Sequence, residues 1–501
     1  MRITNRMMTN NMLSNINRNK YKMSDLEQQY STGKKIQRPS DDPIVTVRAL
    51  KLRTNLSEIE QYYNKNIPDA MSWMDLTESA LSTVNDVLRQ INTYCVQGSS
   101  DTLTANDRAI IVQNLEEMKE QIHQEANANF AGRYVFTGFK TDTPLAFREA
   151  SNNIQYEITE NFTSKDIEQR LQVVGGYELD DFDVDGIEFD QSAEFKNAYR
   201  SQLSYGQLDS TEVPREITYS SYGADGTLEE SSITLNSVSS VDGDAYTPAG
   251  EEVNFIHDTG EIIIGEEAYN KFRKADDIQI TYSKTNFTSG DLRPEHYFDC
   301  ITKDISLPEE DQEDSKLVYT KANQEIQYEI NYNQMLTVNT QASDAISHKI
   351  SRVIEDIYAS VDDVTRIEEN IKIVESRLEN TELAEDVRER YEKMLGQFET
   401  ELSLKKEVMQ KAFSKGIAMT HSEQDKVNAA VADLGSRYVR LQLTENRLGS
   451  QKTDMEELLS INEDADLVDT IVRFNASQVI YNASLSAASR IVQNTLLDFL
   501  R

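Results

Sequence analysis

The feature that most constrains this chain is a repeat of apolar residues whose spacing alternates between four and three positions. The repeat runs from Val427 to Leu459 in the last third of the chain and from Ala70 to Cys95 in an earlier segment. Steps of four and three keep side chains on one face of an α-helix and are typical of helices that pack along their length. The spacing therefore predicts long amphipathic helices that need helical partners.

The same spacing occurs near both ends of the chain. Near the start it takes in Met12, Ile16, Asn19, Met23, Leu26 and Tyr30; near the end it takes in Leu467, Ile471, Phe474, Gln478, Tyr481, Leu485, Ala488 and Val492. Each terminal helix thus has an apolar seam without an obvious local partner. Two arrangements satisfy this pattern: the two ends pack against each other, or each end docks on the body of its own monomer.

The middle of the chain has a different character. Residues 141–340 carry 14 basic and 41 acidic groups, and they hold 11 of the 19 Gly and five of the eight Pro. Short β-branched and aromatic runs between these turn residues predict strands: "ITYSSYG", "SSITLNSV", "EIIIGEE", "DIQITYSK" and "KLVYT". The pentapeptide "IQYEI" occurs at both 154–158 and 326–330, either as paired strands or by chance. We therefore predict a mainly α fold with a β-rich central insertion.

Composition excludes several classes of function. A net charge of −35 disfavours nucleic acid and anionic membrane surfaces as partners. No apolar run reaches the roughly 18 residues of a membrane span, and the first residues lack the apolar core of a cleaved secretory signal. Only two cysteines are present, which excludes a disulfide framework. Cys95 lies on an apolar seam, so a buried thiol is favoured over a reactive one.

No constellation points to catalysis, a cofactor or a metal. The five histidines are scattered, and the nucleotide-binding, metalloprotease and nucleophile-elbow motifs are all missing. The stretch "DFDVDGIEFD" from Asp181 opens like a calcium loop, but Ser192 stands where a bidentate Glu is required. The alternation of Phe182, Val184, Ile187 and Phe189 also fits a strand with a glycine kink. We predict a protein that is not an enzyme and binds no cofactor or metal.

Between the first two helices lies "YSTGKKIQRPSDDPIVTVRAL". Gly33 can end the first helix, and Pro39 restricts the chain to an extended entry. Ser40, Asp41 or Asp42 can cap the next helix, and Pro43 suits its first turn. These residues predict a bend between two helices.

Five segments together give the chain a family resemblance: "MRITNRMMTNNML", "LEQQYSTGKKIQRPSDDP", "QYYNKNIPDAMSWMDLTESAL", "NANFAGRYVFTGFKTDTPLAF" and "SQVIYNASLSAASRIVQNTLLDFLR". In this order they resemble the flagellin-like axial proteins of the bacterial flagellum. The resemblance implies that residues 1–42 pair with residues 465–501 as a coiled coil in the inner tube. Residues 43–140 and 341–464 would then form a helical rod domain, and residues 141–340 a β-rich domain that points outward.

Within that family, a filament flagellin is expected to show something like "SSGLRINSAKDDAAG" at the bend, whereas this chain has "STGKKIQRPSDDP". The chain thus resembles the proteins that join hook to filament more than it resembles filament flagellin, which stays the alternative. The implied partners are a ring of copies of this chain, another hook-associated protein on the hook side, flagellin on the filament side and a flagellar export chaperone. The implied location is the extracellular flagellum, reached by the flagellar type III apparatus without a cleaved signal.

The predicted assembly contacts lie on the terminal helices: Ile3, Met7, Met12, Leu26, Leu485, Ile491, Leu496, Leu497 and Leu500. The competing interpretation of the same residues is an ordinary intramolecular core. A third function, of another class, is a surface adhesin or glycan-binding protein that uses residues 141–340. Residues 344–425 form an additional charged helical tract that departs from the family outline, and we expect a helical hairpin there with a turn near "ENTELAED".

Overall fold

The computed structural model describes residues 5–100, 103–183, 189–210, 214–222, 227–242, 245–379 and 384–497. The helices are α1 (Asn5–Thr32), α2 (Pro43–Gln61), α3 (Ile67–Gly98), α4 (Ala105–Ala126), α5 (Glu266–Phe272), α6 (Glu309–Gln312), α7 (Ala342–Ala345), α8 (Lys349–Leu378), α9 (Glu385–Glu463) and α10 (Leu467–Leu497). A π-helical turn, Tyr62–Asn66, joins α2 to α3.

The strands are short and confined to the middle of the chain. They are β1 (Asn129–Phe130), β2 (Arg133–Tyr134), β3 (Ile154–Phe162), β4 (Glu168–Val174), β5 (Glu194–Gln202), β6 (Glu216–Tyr222), β7 (Leu228–Val238), β8 (Val253–Ile256), β9 (Glu261–Ile264), β10 (Ala275–Lys284), β11 (Asp299–Asp304), β12 (Leu317–Tyr319), β13 (Gln327–Asn331) and β14 (Gln334–Thr337). The predicted fold class, mainly α with a central β-rich insertion, is confirmed.

The chain folds as two compact units. The first comprises Met1–Ala70, Tyr328–Leu336 and Val439–Arg501; the second comprises Met71–Gln327 and Thr337–Tyr438. The division into five segments proposed from the sequence remains a prediction.

In the second unit, α3 packs antiparallel on α9. Asn85 donates a hydrogen bond to Asn428 (3.0 Å), and Asn92 donates one to Thr420 (2.9 Å). The α3 residues at the predicted 4-3 positions are all buried, and Cys95 at the end of the seam is inaccessible to solvent. The periodicity therefore identified the packed face of this helix correctly. Burial raises the pKa of the Cys95 thiol to about 12, so the thiol is protonated at neutral pH.

The helical tract of residues 344–425 forms the predicted hairpin. Lys415 and Lys406 of α9 lie 3.3 Å and 2.9 Å from Asp356 and Glu368 of α8. Further along, Arg377 of α8 lies 3.4 Å from the Tyr391 hydroxyl of α9, so the two helices run antiparallel. Their far ends enclose a separate apolar cluster that includes Val374, Met394 and Phe398. Within the bundle, His123 of α4 contacts Ser351 of α8 at 3.2 Å. This tract is thus an integral part of the bundle core.

The main sheet has ten strands in the order β12-β11-β3-β10-β6-β7-β8-β9-β5-β4, and β7 and β8 are the parallel pair. All five stretches predicted as strands contribute strands, although "EIIIGEE" turns into α5 after Ile264. The hypothesis that the two "IQYEI" copies pair is wrong, because β3 pairs with β10 and β11 whereas β13 pairs with β14. Both copies contribute to strands, but the two strands pair with different partners.

The calcium-like stretch is not a strand over its described residues. Leu179–Asp183 form a 3₁₀ turn, and Phe182 stacks on Tyr391 of α9 with ring centroids 3.8 Å apart. Phe189 is buried in the apolar cluster between α8 and α9. Residues 184–188 lie outside the described residues. The aromatic residues that had suggested strand alternation serve instead to attach this segment to the helical hairpin.

A buried ionic cluster attaches the sheet to the helices within the second unit. Arg200 of β5 lies at its centre, 1% exposed, and pairs with Asp356 of α8, with Glu261 of β9 and with Glu168 of β4. Lys415 of α9 lies 2.8 Å from Glu168. Burial alone would raise the pKa of Asp356, but the charge and hydrogen bonds of Arg200 outweigh this and hold the pKa well below its usual range. The cluster is therefore ionised, and each charge is compensated.

Candidate assembly surface

The two terminal helices pair with each other in the first unit. Asn19 of α1 donates a hydrogen bond to Ser484 of α10 (3.3 Å), and Lys34 just after α1 bridges to Asp464 just before α10. The two helices are therefore antiparallel, and their contact extends from the bend near residue 34 toward the two ends of the chain. Of the two arrangements left open by the sequence, the structure has the ends packed against each other.

The α1 side of this contact follows the predicted seam. Ile16 is buried, and Met12, Asn19, Met23 and Leu26 are half-buried, at spacings of four and three. Tyr30, the last predicted seam residue, is instead 52% exposed. Each of these positions except Tyr30 thus contributes to the face that meets α10.

The α10 side follows only part of its predicted seam: Phe474, Tyr481 and Ala488 are half-buried as predicted, whereas Gln478 is exposed. The buried or half-buried positions are Thr470, Phe474, Ser477, Tyr481, Ser484 and Ala488. Leu467, Ile471 and Leu485, which were predicted on the seam, are between 40% and 48% exposed. The enclosed side of α10 thus mixes the aromatic Phe474 and Tyr481 with small polar side chains, and one of these, Ser484, accepts the hydrogen bond from Asn19. The larger aliphatic side chains of α10 are exposed instead.

The bend that orients α1 and α2 is built by local hydrogen bonds. Gly33 ends α1 with a φ of +70°, a conformation that favours glycine. Asp42 is the N-cap of α2: its Oδ1 accepts from the amides of Ile44 and Val45, both at 3.1 Å, and Pro43 occupies the first turn. The sequence had left the cap open among three residues, and the structure assigns it to Asp42.

The other bend residues form a turn. The Asp41 amide donates to the Arg38 carbonyl at 3.0 Å, with Pro39 and Ser40 between them. Pro39 therefore occupies the second position of a turn, where its fixed φ is favourable, and the predicted extended entry at Pro39 is wrong. Asp41 Oδ2 also accepts from the Arg38 amide at 2.8 Å. The five predicted bend residues thus close one compact corner.

Charged side chains hold the corner against the start of α10. Lys34 Nζ lies 2.5 Å from Asp464 Oδ1, and Arg53 of α2 lies 2.6 Å from Glu463. The hydrogen bond with Lys34 lowers the pKa of Asp464, and the same bond raises the pKa of Lys34. The backbone continues the contact, because the Ala465 amide donates to the Gly33 carbonyl at 2.8 Å. These contacts join residues more than 400 positions apart.

The helical pair buries few side chains. Among the described side chains of α1 and α10, Ile16 and Thr470 are the ones that fall in the buried class. Large apolar side chains are instead exposed along the first unit: Met7, Met8, Leu13, Tyr21, Tyr30, Ile44, Val47, Leu50, Leu458, Ile461, Leu467, Val468, Ile471, Val472, Val479, Ile480 and Leu485. We call this set the apolar surface of the first unit. The set takes in α1, α2, the end of α9 and α10, and exposed apolar area of this extent is typical of a surface that another protein covers.

The predicted assembly residues fall into three groups. Met7 and Leu485 are 54% and 43% exposed and belong to the apolar surface, whereas Met12 and Leu26 are half-buried on the α1 seam. Ile491, Leu496 and Leu497 lie in α10, with side chains outside the described set. Ile3 and Leu500 lie outside the described residues.

Sequence reasoning missed most of the apolar surface. Val468, Val472, Val479 and Ile480 lie off the 4-3 register and were therefore not selected. The sequence did contain an indication of this surface, because α10 carries more aliphatic residues than a single packed seam needs. An excess of this kind on a helix with a positive mean hydropathy predicts contact with more than one neighbour.

Neither a membrane-spanning helix nor a metal-binding cluster is found among the described residues. Within the described residues, no helix combines the length and the apolar character that crossing a bilayer requires. The same residues contain no group of three histidine, cysteine or acidic side chains placed to hold a metal ion.

The two ends of the chain match known protein families. Residues 3–141 match the bacterial flagellin N-terminal helical region, and residues 417–500 match the bacterial flagellin C-terminal helical region. Both ends of this chain are therefore similar to the helical regions of bacterial flagellins.

Individual relatives are more specific. The chain is 33% identical over 143 residues to flagellar hook-associated protein 3 of Salmonella typhimurium, a match that covers 28% of this chain and 45% of the relative. It is 28% identical over 162 residues to a flagellin of Clostridium tyrobutyricum, covering 32% and 42%. The chain thus spans less than half the length of these curated relatives. A solved structure of a putative flagellar hook-associated protein from Vibrio parahaemolyticus aligns over 84% of this chain and 99% of its own, at 11% identity and a TM-score of 0.35.

Proposed function

We propose that this chain is a structural axial protein of the bacterial flagellum that forms the junction between hook and filament. It acts by helix packing: copies of the chain form a ring in which α1 and α10 line the axial tube. One face of the ring contacts another hook-associated protein, and the other face contacts flagellin.

One observation carries the proposal: α1 and α10 pair with each other yet leave their aliphatic side chains exposed. A pair of isolated helices that buries so few side chains gains little to offset the backbone entropy of ordering, roughly 1–2 kcal/mol per residue. Covering the apolar surface by neighbouring copies contributes about 25 cal/mol per Å² of apolar area. Assembly therefore supplies the stabilisation that the monomer lacks.

The junction role is favoured over that of the filament subunit by two facts. Two of the curated relatives, from Salmonella typhimurium and Escherichia coli, carry the name flagellar hook-associated protein 3. The bend "STGKKIQRPSDDP" also resembles junction proteins more than flagellins. The match to a flagellin keeps the filament subunit as the second candidate.

Location and handling follow from the same proposal. The chain would be exported by the flagellar type III apparatus without a cleaved signal and would function outside the cell in the flagellum. A cytoplasmic export chaperone would cover the apolar face of α10 before export, because that face is exposed in the single chain. We propose no catalytic activity and no cofactor.

A deletion strain tests the proposal directly. Electron microscopy of its flagella is combined with an assay of flagellin in the culture medium. Bare hooks with released flagellin are the expected result, because filament subunits then have no junction to polymerise on. Bare hooks without released flagellin identify the chain as the filament subunit, and normal filaments contradict both roles.

A truncation separates assembly from folding. Removal of the last ten residues should leave the thermal transition of the sheet-containing unit unchanged and should abolish assembly, because these residues contain Leu496, Leu497 and Leu500. Normal assembly of the truncated chain contradicts the assignment of these residues as assembly contacts.

A further inference from the structure

Two exposed stripes in the first unit match each other in chemistry. On α2, Ile44, Val47, Arg48 and Lys51 follow one another at positions i, i+3, i+4 and i+7. Near the end of α9, Asp454, Glu457, Leu458 and Ile461 have the same spacing. This spacing puts each set of four side chains on a single helix face. We call these faces the basic stripe and the acidic stripe.

All eight residues of the two stripes are exposed. Ile44 and Ile461 are 76% and 62% exposed, which is unusual for isoleucine. Among the described residues, none of the four charged side chains has an ion-pair or hydrogen-bonding partner. The stripes are therefore unsatisfied in the single chain.

The two helices already contact each other through other faces. Asn462 donates to the Val45 carbonyl at 3.1 Å, and Lys452 lies 3.8 Å from Glu60. Ala49 and Leu52 of α2 are buried and half-buried, so the enclosed side of α2 lies on positions other than those of the basic stripe. Each stripe lies away from that contact, so the stripes of one chain do not satisfy each other.

The order of residues along the stripes is complementary. An antiparallel alignment sets Ile44 against Ile461 and Val47 against Leu458. The same alignment sets Arg48 against Glu457 and Lys51 against Asp454. A parallel alignment opposes apolar and charged side chains instead. Complementary charge selects the partner, and the four aliphatic side chains add apolar burial.

We propose that the basic stripe of one copy packs antiparallel on the acidic stripe of a second copy of this chain. The inference rests on the proposed function, because it specifies one contact through which copies associate. Each copy presents both stripes, so each can use one stripe for each of two neighbours or both stripes for the same neighbour. The contact is electrostatic at one end and apolar at the other.

Charge reversal in the full-length chain tests the contact. We expect Arg48→Glu/Lys51→Glu and Asp454→Lys/Glu457→Lys each to weaken self-association by about tenfold or more, since each places like charges opposite one another. Association is measured by sedimentation velocity at low and physiological salt. Mixing the two reversed chains should restore association to the wild-type level, because each then meets its complement.

Controls separate this result from loss of folding. The pair Glu369→Lys/Glu375→Lys reverses two exposed carboxylates of α8, the same charge change as in Asp454→Lys/Glu457→Lys, and should leave association unchanged. Thermal melting of both reversed chains should match wild type, because the altered side chains are exposed.

The outcomes distinguish the inference from the proposed function. Reversed chains that associate as well as wild type, or that are not rescued by mixing, overturn the stripe contact while the proposed function stands. A wild-type chain that stays monomeric at every salt concentration and protein concentration used overturns both.

Discussion

Arg200 and Asp356 form a buried bidentate ion pair, with Nη1–Oδ1 and Nη2–Oδ2 distances of 2.9 Å and 2.6 Å. Arg200 is on strand β5 and Asp356 is on helix α8, so the pair joins the sheet to the helical bundle. Glu261 and Glu168 share the same guanidinium. Because these carboxylates are buried or partly buried, their ionised state depends on Arg200 remaining in place.

Replacement of Arg200 by Met should therefore lower the free energy of unfolding by about 3–5 kcal/mol. It removes the central cation and leaves three clustered carboxylates with two remaining counter-charges, Arg170 and Lys415. Urea denaturation followed by circular dichroism measures the change. Lys271→Met breaks the exposed ion pair with Glu251 and should change the free energy by less than about 1 kcal/mol. Equal effects of the two substitutions would show that the cluster contributes no more than a surface pair.

Acidification should destabilise the second unit through two buried histidines. Burial lowers the pKa of His123 to about 4 and that of His348 to about 3, whereas an unfolded histidine has a pKa of about 6.5. The unfolded chain therefore binds protons first, and stability is lost as the pH falls from about 6.5 toward these folded-state values. Above pH 7 the two histidines contribute no pH dependence.

The substitution His348→Gln should flatten this dependence by up to about 1.4 kcal/mol per pH unit. The comparison is urea denaturation at pH 7 and pH 5. His421→Gln, at an exposed position on α9, serves as the control and should retain the wild-type slope. A slope that His348→Gln leaves unchanged would assign the acid sensitivity to other groups.

Two glycines of α9 should respond in opposite directions to alanine. A Cβ at Gly416 would lie 2.9 Å from Cys95 Sγ and 3.0 Å from Ile357 Cδ1, whereas a Cβ at Gly435 meets no heavy atom within 4 Å. Gly435→Ala should stabilise the protein by up to about 1 kcal/mol through helix propensity. Gly416→Ala should destabilise it by roughly 1–3 kcal/mol through overpacking. Thermal melting of both variants tests this. If both variants are stabilised, α3 and α8 must move enough to accommodate the added methyl group at position 416.

Adjacent positions on α10 should separate assembly from folding. Val479 is 68% exposed and belongs to the apolar surface, and Gln478 next to it is also exposed. Val479→Asp should leave the melting temperature near wild type and block assembly, because the carboxylate would be buried unpaired between copies. Gln478→Asp adds the same charge one position away and should still assemble. Assembly of both variants would place Val479 outside the interface.

The N-cap of α2 offers a test of the bend. Asp42→Ala removes the acceptor for two backbone amides and should cost about 1 kcal/mol, whereas Asp42→Asn keeps an acceptor and should cost much less. Limited proteolysis between α1 and α2 provides a local measurement. Equal protection of the two variants would show that the turn formed by Pro39, Ser40 and Asp41 is sufficient to define the bend.

Local patterns predicted much of this fold. The seam of α3, the helical hairpin of α8 and α9, and the five stretches predicted as strands were all identifiable, because helical and strand periodicities record which side chains face a packed neighbour. The mutual packing of α1 and α10 was one of two possibilities that the helical spacing left open. The family resemblance implied it, and the structure shows it.

The face of α10 could not be predicted by the same rule. A rule that turns apolar residues inward assigns Leu467, Ile471 and Leu485 to the seam, but α10 has more aliphatic residues than one seam holds. Phe474, Tyr481 and Ala488 of that predicted seam are enclosed, but Thr470, Ser477 and Ser484 are enclosed in place of the three aliphatic residues. Which face meets which neighbour depends on shape and hydrogen bonding between helices, and neither is encoded in spacing alone.

The sequence by itself determined the helical class, the central β-rich insertion, the bend and the resemblance of both ends to flagellin-like proteins. Each of these depends on residues close together in the chain or on motifs in a fixed order. Only the tertiary structure decided the ionic cluster around Arg200, the strand order of the sheet and the complementary stripes on α2 and α9. These unite side chains distant in the chain, such as Arg200 and Asp356, 156 positions apart, and their proximity is a property of packing that no local pattern records.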